Sequence, residues 1–465
     1  MKLKNIQITN FRCFDSLSID LDEQLTVIVA KNGQGKSSIL DAIRIGLWSF
    51  VSGFDLARNS QNDPANGIRI DDVRMLKMRD GQTARQLPCK ITLVGDYDIN
   101  LIGFEAYRKT WTWTRFRESE RKGTKTKDNI TSKRIKTLAS VAQFKISDPK
   151  NPDTDLPIVG YYGTGRLWSQ KRLTQDKISV KQDTDFFMRL FAYRDCLDPA
   201  SSYKHFADWF TWVFKSYREQ QIKQLEKGIA FDEESTWKNT IQVVQQAIDS
   251  FLQETTGWHS LEYSESHEKS LILNHDEQGT LKVELLSDGI RSILAMVGDI
   301  AYRCIKLNPH LGLNAAKETL GVIMIDEVDM HLHPAWQQTV LVDLCKAFPK
   351  IQFIVTTHSP QVISTVAGHK IRILADNQSI TGEAGTQGAE ASRILREVFG
   401  VELRAQHLEI VKKLNRYLEL IDNDKWDTEE AITLRKTLDE WSQGHEPELT
   451  KADIDIRMKQ FQRQL

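Results

Sequence analysis

The sequence predicts an α/β fold, and two apolar runs that lie far apart in the chain carry that prediction. The first run, residues 25–29, leads into a glycine-rich loop at 30–38, after which apolar residues recur at helical spacing to Leu47. The second run, residues 322–325, ends in the adjacent carboxylates Asp326 and Glu327. Near-continuous apolar runs of this kind are typical of buried strands. A strand, a glycine loop and a helix in succession form the arrangement in which many proteins bind phosphate groups.

The segment 30–38, called the phosphate loop from here on, has the composition of a nucleotide-binding site. Its backbone N–H groups and the positive end of the following helix can hold a phosphate, and Lys36 can reach the β- and γ-oxygens. The Ser37 hydroxyl can ligate Mg²⁺. The pattern G-x-x-x-x-G-K-[ST] departs at one position, where Ala30 replaces glycine. The expected binding residues are Asn32, Gly33, Gly35, Lys36, Ser37 and Ser38.

The two carboxylates at the end of the second run predict ATP hydrolysis. Asp326 can hold Mg²⁺ together with Ser37, while Glu327 can polarise a water molecule. A competing interpretation is a metal site formed by Asp326 with three nearby histidines. The Mg·ATP interpretation already accounts for the carboxylates, and it uses one histidine as a donor to the γ-phosphate. The three histidines are His331, His333 and His358.

Composition and charge place limits on partners and location. The chain has 465 residues, 40% of them hydrophobic and 27% charged, which predicts about two to three structural units. A net charge of −1 gives no overall attraction to DNA or anionic membranes, so nucleic-acid contact would require a local patch. Five scattered cysteines without a CxxC pair favour reduced thiols in the cytoplasm. No apolar stretch reaches the roughly 18 residues of a membrane span, and no signal peptide is recognised.

Hydrophobic periodicity predicts alternating strand-rich and helix-rich regions. In the last region Asp427 and Glu430 are expected to form a capping box at the start of a helix. The serine and glycine of the segment L-S-D-G at 286–289 can present N–H groups and a hydroxyl to a phosphate, although a plain helix N-cap explains that segment as well. Helices are expected at 170–260, from 290, at 336–345 and beyond 385. Strands are expected at 1–29, 88–116, 157–162, 271–273, 281–285 and 351–357.

The ordered motifs resemble the ABC-type ATPase heads of the SMC, RecF and OLD group. The resemblance is specific over residues 1–48 and 280–375, and residues 6–12 look like the opening of that group. It implies an ABC-type head, with a mixed sheet, an antiparallel β layer, a helical insert and a helical C-terminal domain. The motifs are A-x-N-G-x-G-K-S, L-S-D-G, the Asp-Glu strand, H-L-H-P and T-H-S-P. The implied regions are lobe I at 1–168, the helical insert at 169–280, the ATPase core at 281–380 and the C-terminal region at 381–465.

In the group that this chain resembles, two heads enclose two ATP molecules. The resemblance therefore implies that Lys36, Ser37 and Asp326 of one subunit face Ser287 and Gly289 of the other.

The same resemblance assigns roles to three further residues. It implies that Glu327 positions the attacking water, that His358 senses the γ-phosphate and that Arg12 lies near the phosphates. An exposed arginine at a strand end is an equally good interpretation of Arg12. The Q-loop has no residue assigned, because residues 161–166 contain no glutamine and neither Gln143 nor Gln170 is suitably placed.

Several features of the related proteins are missing from this sequence. The 170–280 insert is too short, and too poor in heptads, for the coiled-coil arms of SMC proteins. Asp453 and Asp455 lie in a charged helical segment without a preceding strand, which argues against the nuclease domain of OLD proteins. Residues 161–166, the H-L-H-P motif and residues 395–401 look most like the PtuA-type ATPases of Septu anti-phage systems. That resemblance implies a separate HNH nuclease of the PtuB type as partner.

The leading hypothesis is a cytoplasmic ATPase that dimerises, or forms a larger homo-oligomer, around ATP and regulates a partner HNH nuclease. A RecF-like repair ATPase that binds DNA without a nuclease is the alternative. The ATPase subunit of a transporter is disfavoured by the missing Q-loop glutamine and by the added helical tail.

Residues 108–136, called the basic stretch from here on, are the candidate nucleic-acid surface. They contain eleven Lys and Arg against three acidic residues, interleaved with Trp111, Trp113 and Phe116. Such a stretch can follow a phosphate backbone and stack on bases. The competing interpretation is a β-hairpin with inward-facing aromatics and a solvated loop at 122–127, because alternation puts both indoles on one face.

Overall fold

A computed structural model of the chain contains a central α/β sheet, an antiparallel sheet and several helical segments. The chain divides into two compact units, Met1–Ala391 and Ser392–Leu465.

The described residues are 1–57, 66–79, 81–98, 108–148, 153–165, 184–199, 202–230 and 235–464. The strands of these residues are β1 (Lys2–Phe11), β2 (Phe14–Asp20), β3 (Leu25–Ala30), β4 (Met75–Lys77), β5 (Thr83–Arg85), β6 (Cys89–Asp98), β7 (Arg108–Arg117), β8 (Lys127–Asp128), β9 (Ile158–Tyr162), β10 (Trp258–Ser264), β11 (Ser270–His275), β12 (Gly279–Lys282), β13 (Gly321–Ile325), β14 (Ile351–Thr356), β15 (Ile371–Ala375) and β16 (Gln378–Thr381). Their α-helices are α1 (Lys36–Val51), α2 (Ile130–Ile146), α3 (Ser202–Glu226), α4 (Thr236–Thr256), α5 (Asp288–Leu307), α6 (Ala315–Glu318), α7 (Pro334–Gln337), α8 (Val340–Ala347), α9 (Pro360–Ile363), α10 (Ala391–Glu397), α11 (Glu409–Asp422), α12 (Glu429–Ser442) and α13 (Pro447–Gln464).

The central sheet has six strands in the order β16-β15-β3-β14-β13-β9. All neighbours in it are parallel except β15 and β16, which pair antiparallel. Every residue of β3, β9, β13 and β14 is buried, as their apolar composition predicts. Because parallel strands share one carboxyl edge, the segments that follow β3, β13 and β14 meet there.

A second sheet forms the antiparallel layer, with the order β2-β1-β6-β7-β8. Helix α1 contacts β6 and β7 of this layer and also β3 and β14 of the central sheet. Trp113 of β7 donates its indole N–H to the Gly46 carbonyl of α1 at 3.0 Å. The predicted fold class, an α/β head with a mixed sheet and an antiparallel layer, is confirmed by this topology.

Several individual elements differ from the sequence-based predictions. Helix α2 and strand β10 were not predicted, and the stripe around Phe186 and Phe191 forms two short 3₁₀ turns. The strand expected at 281–285 ends at Lys282, where a 3₁₀ turn replaces it. Strands β10, β11 and β12 form a separate antiparallel sheet beside the helices of the insert. The run expected as strand at 101–104 lies outside the described residues.

The second unit is helical, as predicted, and α11, α12 and α13 enclose a core of their own. The predicted capping box at its second helix is wrong. The cap of α12 is Thr428, whose hydroxyl accepts from the Ala431 N–H, while Glu430 pairs with Arg416. Within this helix-rich unit the core residues are Leu414, Tyr417, Leu420, Ile421, Ala431, Leu438, Leu449 and Ala452. The region boundaries at 168, 280 and 380 stay predictions.

Of the helices that the structure describes, none combines the length and the apolar composition that crossing a membrane requires.

Candidate nucleotide-binding site

The phosphate loop connects β3 to α1, as the sequence predicts. Gly33 and Gly35 have φ angles of 80° and 86°, in the left-handed region that glycine adopts without strain. A Cβ added at Gly35 would lie 2.6 Å from both the Cys13 Sγ and the Phe14 ring, so the loop has no room for a side chain there. Ala30, the departure from the loop pattern, is the last residue of β3, where a methyl group is easily accommodated.

Lys36 links the loop to the strand beside it. Its Nζ donates to the Ala30 carbonyl at 3.2 Å and lies 2.5 Å from Nε2 of His358, which follows β14. Burial lowers the pKa of Lys36 against the opposing effect of Asp326. Burial and the Lys36 cation also lower the pKa of His358 below 6.5. The lowered pKa favours the neutral ring of His358, in which one nitrogen accepts a hydrogen bond and the other carries the proton.

Thr356, which no sequence motif singles out, forms hydrogen bonds with both carboxylate residues. The Thr356 hydroxyl donates to Asp326 Oδ1 at 2.5 Å and accepts from the Glu327 backbone N–H at 2.8 Å. Thr356 is completely buried at the end of β14, and Asp326 is 4% exposed. The sequence feature that points to this threonine is the polar run Thr356-Thr357-His358, which begins at the last residue of a buried strand. Its hydroxyl partners depend on strand register, which the sequence does not specify.

Glu327 has an unusual backbone conformation. Its φ of 48° lies in the left-handed region, which non-glycine residues seldom occupy. The N–H groups of Glu327 and Val328 both bond to Thr356, the second through its carbonyl at 3.0 Å. Thr357 donates its hydroxyl to Asp329 at 2.5 Å and so anchors the turn after the carboxylates. These contacts hold Glu327 half-buried beside the end of β14.

The donor set at this edge fits Mg²⁺. The Ser37 hydroxyl is exposed at the start of α1, and Asp326 contributes a carboxylate; both are the hard oxygen ligands that Mg²⁺ prefers. The competing metal site with His331 and His333 is not formed, since the described residues contain no cluster of three or more His, Cys, Asp or Glu side chains around a common point. His333 instead caps α7, where its Nδ1 accepts from the Ala335 N–H.

Ser287 and Gly289 occupy a different place from the phosphate loop. Ser287 is the exposed N-cap of α5, and its hydroxyl accepts from the Ile290 N–H at 3.5 Å. Gly289 is buried against the H-L-H-P segment, where an added Cβ would lie 2.8 Å from the His331 carbonyl. No hydrogen bond among the described residues joins either of them to the phosphate loop of the same subunit.

Arg12 lies beside the first turn of α1. It is held by Asp41 at 2.7 Å and Asp72 at 3.0 Å, and its Nη1 is 3.4 Å from the Ser38 hydroxyl. Its side chain is only 24% exposed, so it is not a free arginine at a strand end. Burial opposes its charge, but Asp41 and Asp72 outweigh that effect and raise the pKa of Arg12.

The Q-loop remains without an assigned residue. Gln143 lies on α2, where its amide donates to Asp55 at 2.6 Å, and Gln170 lies outside the described residues.

The basic stretch contributes fewer surface charges than its composition predicts. Arg115 and Arg117 are buried, and they donate to backbone carbonyls such as those of Ile45 and Thr124. Trp113 is buried on the same face of β7, as the hairpin interpretation expects. The side chains of residues 108 and 109 lie outside the description, and Lys127 pairs with Glu118. The remaining basic side chains are exposed: Arg121, Lys122, Lys125, Lys133, Arg134 and Lys136.

Two protein-family models match this chain. An AAA-domain model matches residues 5–256, more than half of the chain, and a second AAA-domain model matches residues 194–364. The chain belongs to the AAA-domain family. A solved SMC head bound to the C-winged helix domain of ScpA superposes on this AAA-domain chain with a TM-score of 0.47 at 14% identity, covering 82% of this chain and 97% of that one.

Curated relatives of this AAA-domain chain include two retron ATPases and a Septu protein. It is 27% identical to the retron Ec83 probable ATPase of Escherichia coli, over 99% of this chain and 87% of the relative. It is 25% identical to the retron Vc95 probable ATPase of Vibrio cholerae, over 94% and 87%. It is 38% identical to the Septu protein PtuA of Bacillus mycoides, over 21% and 13%. The chain is an ATPase of the AAA/ABC type related to retron and Septu ATPases.

Proposed function

We propose that this chain hydrolyses ATP within a dimer that encloses two nucleotides, and that its nucleotide state regulates a partner nuclease of the HNH type in anti-phage defence. One observation carries the proposal. Lys36, His358 and the Asp326-Glu327 pair come from three separate parts of the sequence and meet at one edge of the central sheet, with Lys36 and His358 2.5 Å apart.

The side chains at this edge have distinct roles in the proposed hydrolysis. The loop N–H groups and Lys36 bind the phosphates, and the neutral His358 ring offers an N–H donor to the γ-phosphate. Glu327 accepts a hydrogen bond from the attacking water and orients it. Mg²⁺, when bound by Ser37 and Asp326, neutralises phosphate charge. The buried Thr356 fixes the Asp326 carboxylate and the backbone of Glu327.

A second copy of the chain supplies Ser287 in this proposal. Its hydroxyl and the N-terminal end of α5 are exposed, and they can present a serine and backbone N–H groups to a phosphate. Because neither Ser287 nor Gly289 bonds to its own phosphate loop in the described structure, a partner subunit is the natural recipient. Each nucleotide would then lie between the loop of one subunit and the LSDG segment (286–289) of the other.

The nuclease activity is assigned to another protein. Asp453, the tail carboxylate considered as a metal ligand, is held by Arg435 through a bond of 2.9 Å between Nη2 and Oδ2. The described residues hold no metal-binding cluster of His, Cys, Asp and Glu. All five cysteines are free thiols, which supports a cytoplasmic location. The similarity to PtuA supports a Septu-like partner.

The experiment compares ATP turnover and assembly in three variants. Lys36→Ala should weaken ATP binding by roughly 100-fold, because it removes charge-assisted bonds to phosphate. Glu327→Gln should bind ATP normally, lower kcat on the order of 100-fold or more, and accumulate as an ATP-bound dimer in light scattering. Glu318→Gln, a surface carboxylate paired with Lys350, is the matched control. Wild-type turnover in Glu327→Gln would contradict the catalytic assignment.

The regulatory part of the proposal has its own measurement. Phage protection by this chain, expressed together with an HNH nuclease of the PtuB type, should require Lys36. Protection that survives Lys36→Ala would contradict regulation by ATP.

The exposed part of the basic stretch favours a second candidate, a repair-type ATPase that binds DNA directly. Lys122 and Lys125 flank a solvated loop, and Lys133, Arg134 and Lys136 lie on the exposed face of α2. Replacing Lys122 and Lys125 with Glu should then reduce DNA affinity and flatten its salt dependence. Replacing Lys127, whose charge Glu118 already neutralises, is the matched control. Unchanged DNA affinity in the Lys122/Lys125 variant would reject the repair function.

A further inference from the structure

A buried polar network connects the strand beside Asp326 to the helix that begins at Ser287. Tyr162, the last residue of β9, accepts the Asp326 backbone N–H through its carbonyl at 2.8 Å. The hydroxyl of the same residue donates to Asp299 Oδ2 at 2.7 Å. Asp299 belongs to α5, whose N-cap is Ser287. A single tyrosine therefore contacts both the backbone of a site carboxylate and the helix that carries the LSDG segment.

The network ends in a fully buried ion pair. Arg303, one turn further along α5, donates its Nε to the same Asp299 oxygen at 2.7 Å, and the two side chains are 2% and 0% exposed. Arg303 also donates to the carbonyls of Ala192 and Arg194. Asp299 Oδ2 accepts from both Tyr162 and Arg303, while its Oδ1 is buried without a hydrogen-bond partner among the described residues. Removing one partner of a buried ion pair is strongly destabilising. These bonds therefore fix where α5 lies relative to β9.

The outer edge of β9 is tied to the same assembly. The Tyr161 N–H donates to the Cys196 carbonyl at 2.9 Å, and the Gly163 N–H donates to the Pro199 carbonyl at 3.3 Å. The segment 192–199 thus bonds to β9 through Tyr161, to Gly163 just after β9, and to Arg303 at its start. Burial raises the pKa of Tyr162 well above 10, so its hydroxyl keeps the proton that it donates to Asp299.

We propose that Tyr162 is a positioning residue that couples the Asp326 site to the partner-facing end of α5. Through Asp299 and Arg303 it sets the placement of Ser287 relative to Asp326 of the same subunit. A subunit whose Asp326 is correctly placed then presents Ser287 correctly to the nucleotide of its partner. This inference rests on the proposed function, because it assigns Ser287 to the second subunit.

The test compares two buried tyrosines whose hydroxyls each donate one hydrogen bond. Tyr193 is also buried, and its hydroxyl donates to the Pro157 carbonyl at 2.7 Å, a bond that involves neither Asp299 nor Arg303. Tyr162→Phe and Tyr193→Phe are made in the Glu327→Gln background. Both should bind ATP within twofold of the parent, and Tyr162→Phe should lower the thermal midpoint more, because its lost bond is to a charged carboxylate. Only Tyr162→Phe should weaken ATP-dependent dimerisation, by roughly 10-fold, since it alone removes a bond to a charged group of α5.

Equal dimerisation constants for the two variants would overturn the coupling. A second readout is hydrogen exchange of the first α5 turns with and without ATP, measured at a protein concentration at which the chain stays monomeric. ATP should slow this exchange in the wild-type chain and in Tyr193→Phe but not in Tyr162→Phe. An identical ATP response in all three chains, or none in the wild type, overturns the coupling. If the Glu327→Gln parent stays monomeric with ATP, the proposed function fails, and the exchange experiment still decides the coupling.

Discussion

Thr356 has no proposed contact with the nucleotide, but it positions two residues that are proposed to act in hydrolysis. One hydroxyl both donates to Asp326 and accepts from the Glu327 backbone. The second bond falls on a residue whose φ of 48° is unfavourable for a side chain with a Cβ. A bond that fixes both residues therefore offsets backbone strain and orients the carboxylate expected to hold Mg²⁺.

This arrangement predicts a selective effect of removing the Thr356 hydroxyl. Thr356→Val keeps the side-chain volume but leaves Asp326 and Glu327 without their shared partner. We expect the Mg²⁺ concentration for half-maximal ATPase activity to rise by about 10- to 100-fold, the usual cost of losing an outer-shell contact. Thr356→Ser retains the hydroxyl and should behave like the wild-type chain. A valine variant with unchanged Mg²⁺ dependence would show that Asp326 needs no such support.

Most of the candidate site could be predicted from the sequence, because its residues occur in contiguous motifs. Lys36, Ser37, Asp326, Glu327 and His358 each follow a recognisable apolar strand, and parallel strands bring such ends together. Their individual roles stay predictions.

The two residues that the sequence did not identify act through contacts that span the fold. Thr356 reaches Asp326 because β13 and β14 pair in register, with Ile325 opposite Val355. Tyr162 reaches Asp299 because α5 crosses the end of β9. No local pattern records either contact, since strand register and helix placement are set by the whole fold.

Strand β7 shows why composition overstates the number of surface charges in the basic stretch. Alternation places Trp113, Arg115 and Arg117 on one face, and that face is buried. Burying an arginine is unfavourable unless its donors are paired. Here the carbonyls of Ile45, Asn66 and Ile68 accept from the two guanidinium groups. Composition alone counted both arginines as surface charge.

The sequence does not predict helix α2, because its apolar periodicity is weak and its exposed face carries both apolar and basic side chains. Its contact with the end of α1 is nevertheless close. The Ser140 hydroxyl donates to the Gly53 carbonyl at 2.8 Å, and a Cβ added at Gly53 would lie 2.5 Å from both the Ala139 Cβ and the Lys136 carbonyl. The two helices meet at this point without space for another carbon atom.

The close approach of α1 and α2 predicts that Gly53→Ala is destabilising. The added methyl group must displace α2, which should lower the stability by about 1–3 kcal/mol, as overpacking does elsewhere. The measurement is the midpoint of urea denaturation followed by tryptophan fluorescence. Gly123→Ala is the control, because an added Cβ there has no neighbour within 4 Å. Equal midpoints for both variants would contradict the contact.

At the scale of the whole molecule, the proposed dimer needs two complementary surfaces on every subunit. One is the phosphate loop with Lys36, and the other is the exposed end of α5 with Ser287. A subunit that has lost one surface still carries the other, so two inactive variants should complement each other.

Mixing Lys36→Ala with Ser287→Arg tests this expectation. Each variant alone should be almost inactive, because every site of its homodimer lacks one component. In a mixed dimer one site combines the intact loop of the second variant with the intact Ser287 of the first. Random pairing should restore up to about a quarter of wild-type ATPase activity. A mixture no more active than its separate components would place Ser287 outside the partner's site.

The position of β3 in the central sheet also affects how the protein can be made. Leu25 lies opposite Phe353 of β14, and Val27 lies opposite Ile371 of β15. A ribosome therefore releases the phosphate loop long before it has synthesised either neighbouring strand. Such distant pairing is slow to form and leaves apolar segments exposed in the meantime. The phosphate loop therefore gains the two strands that flank β3 only when most of the first unit has been synthesised.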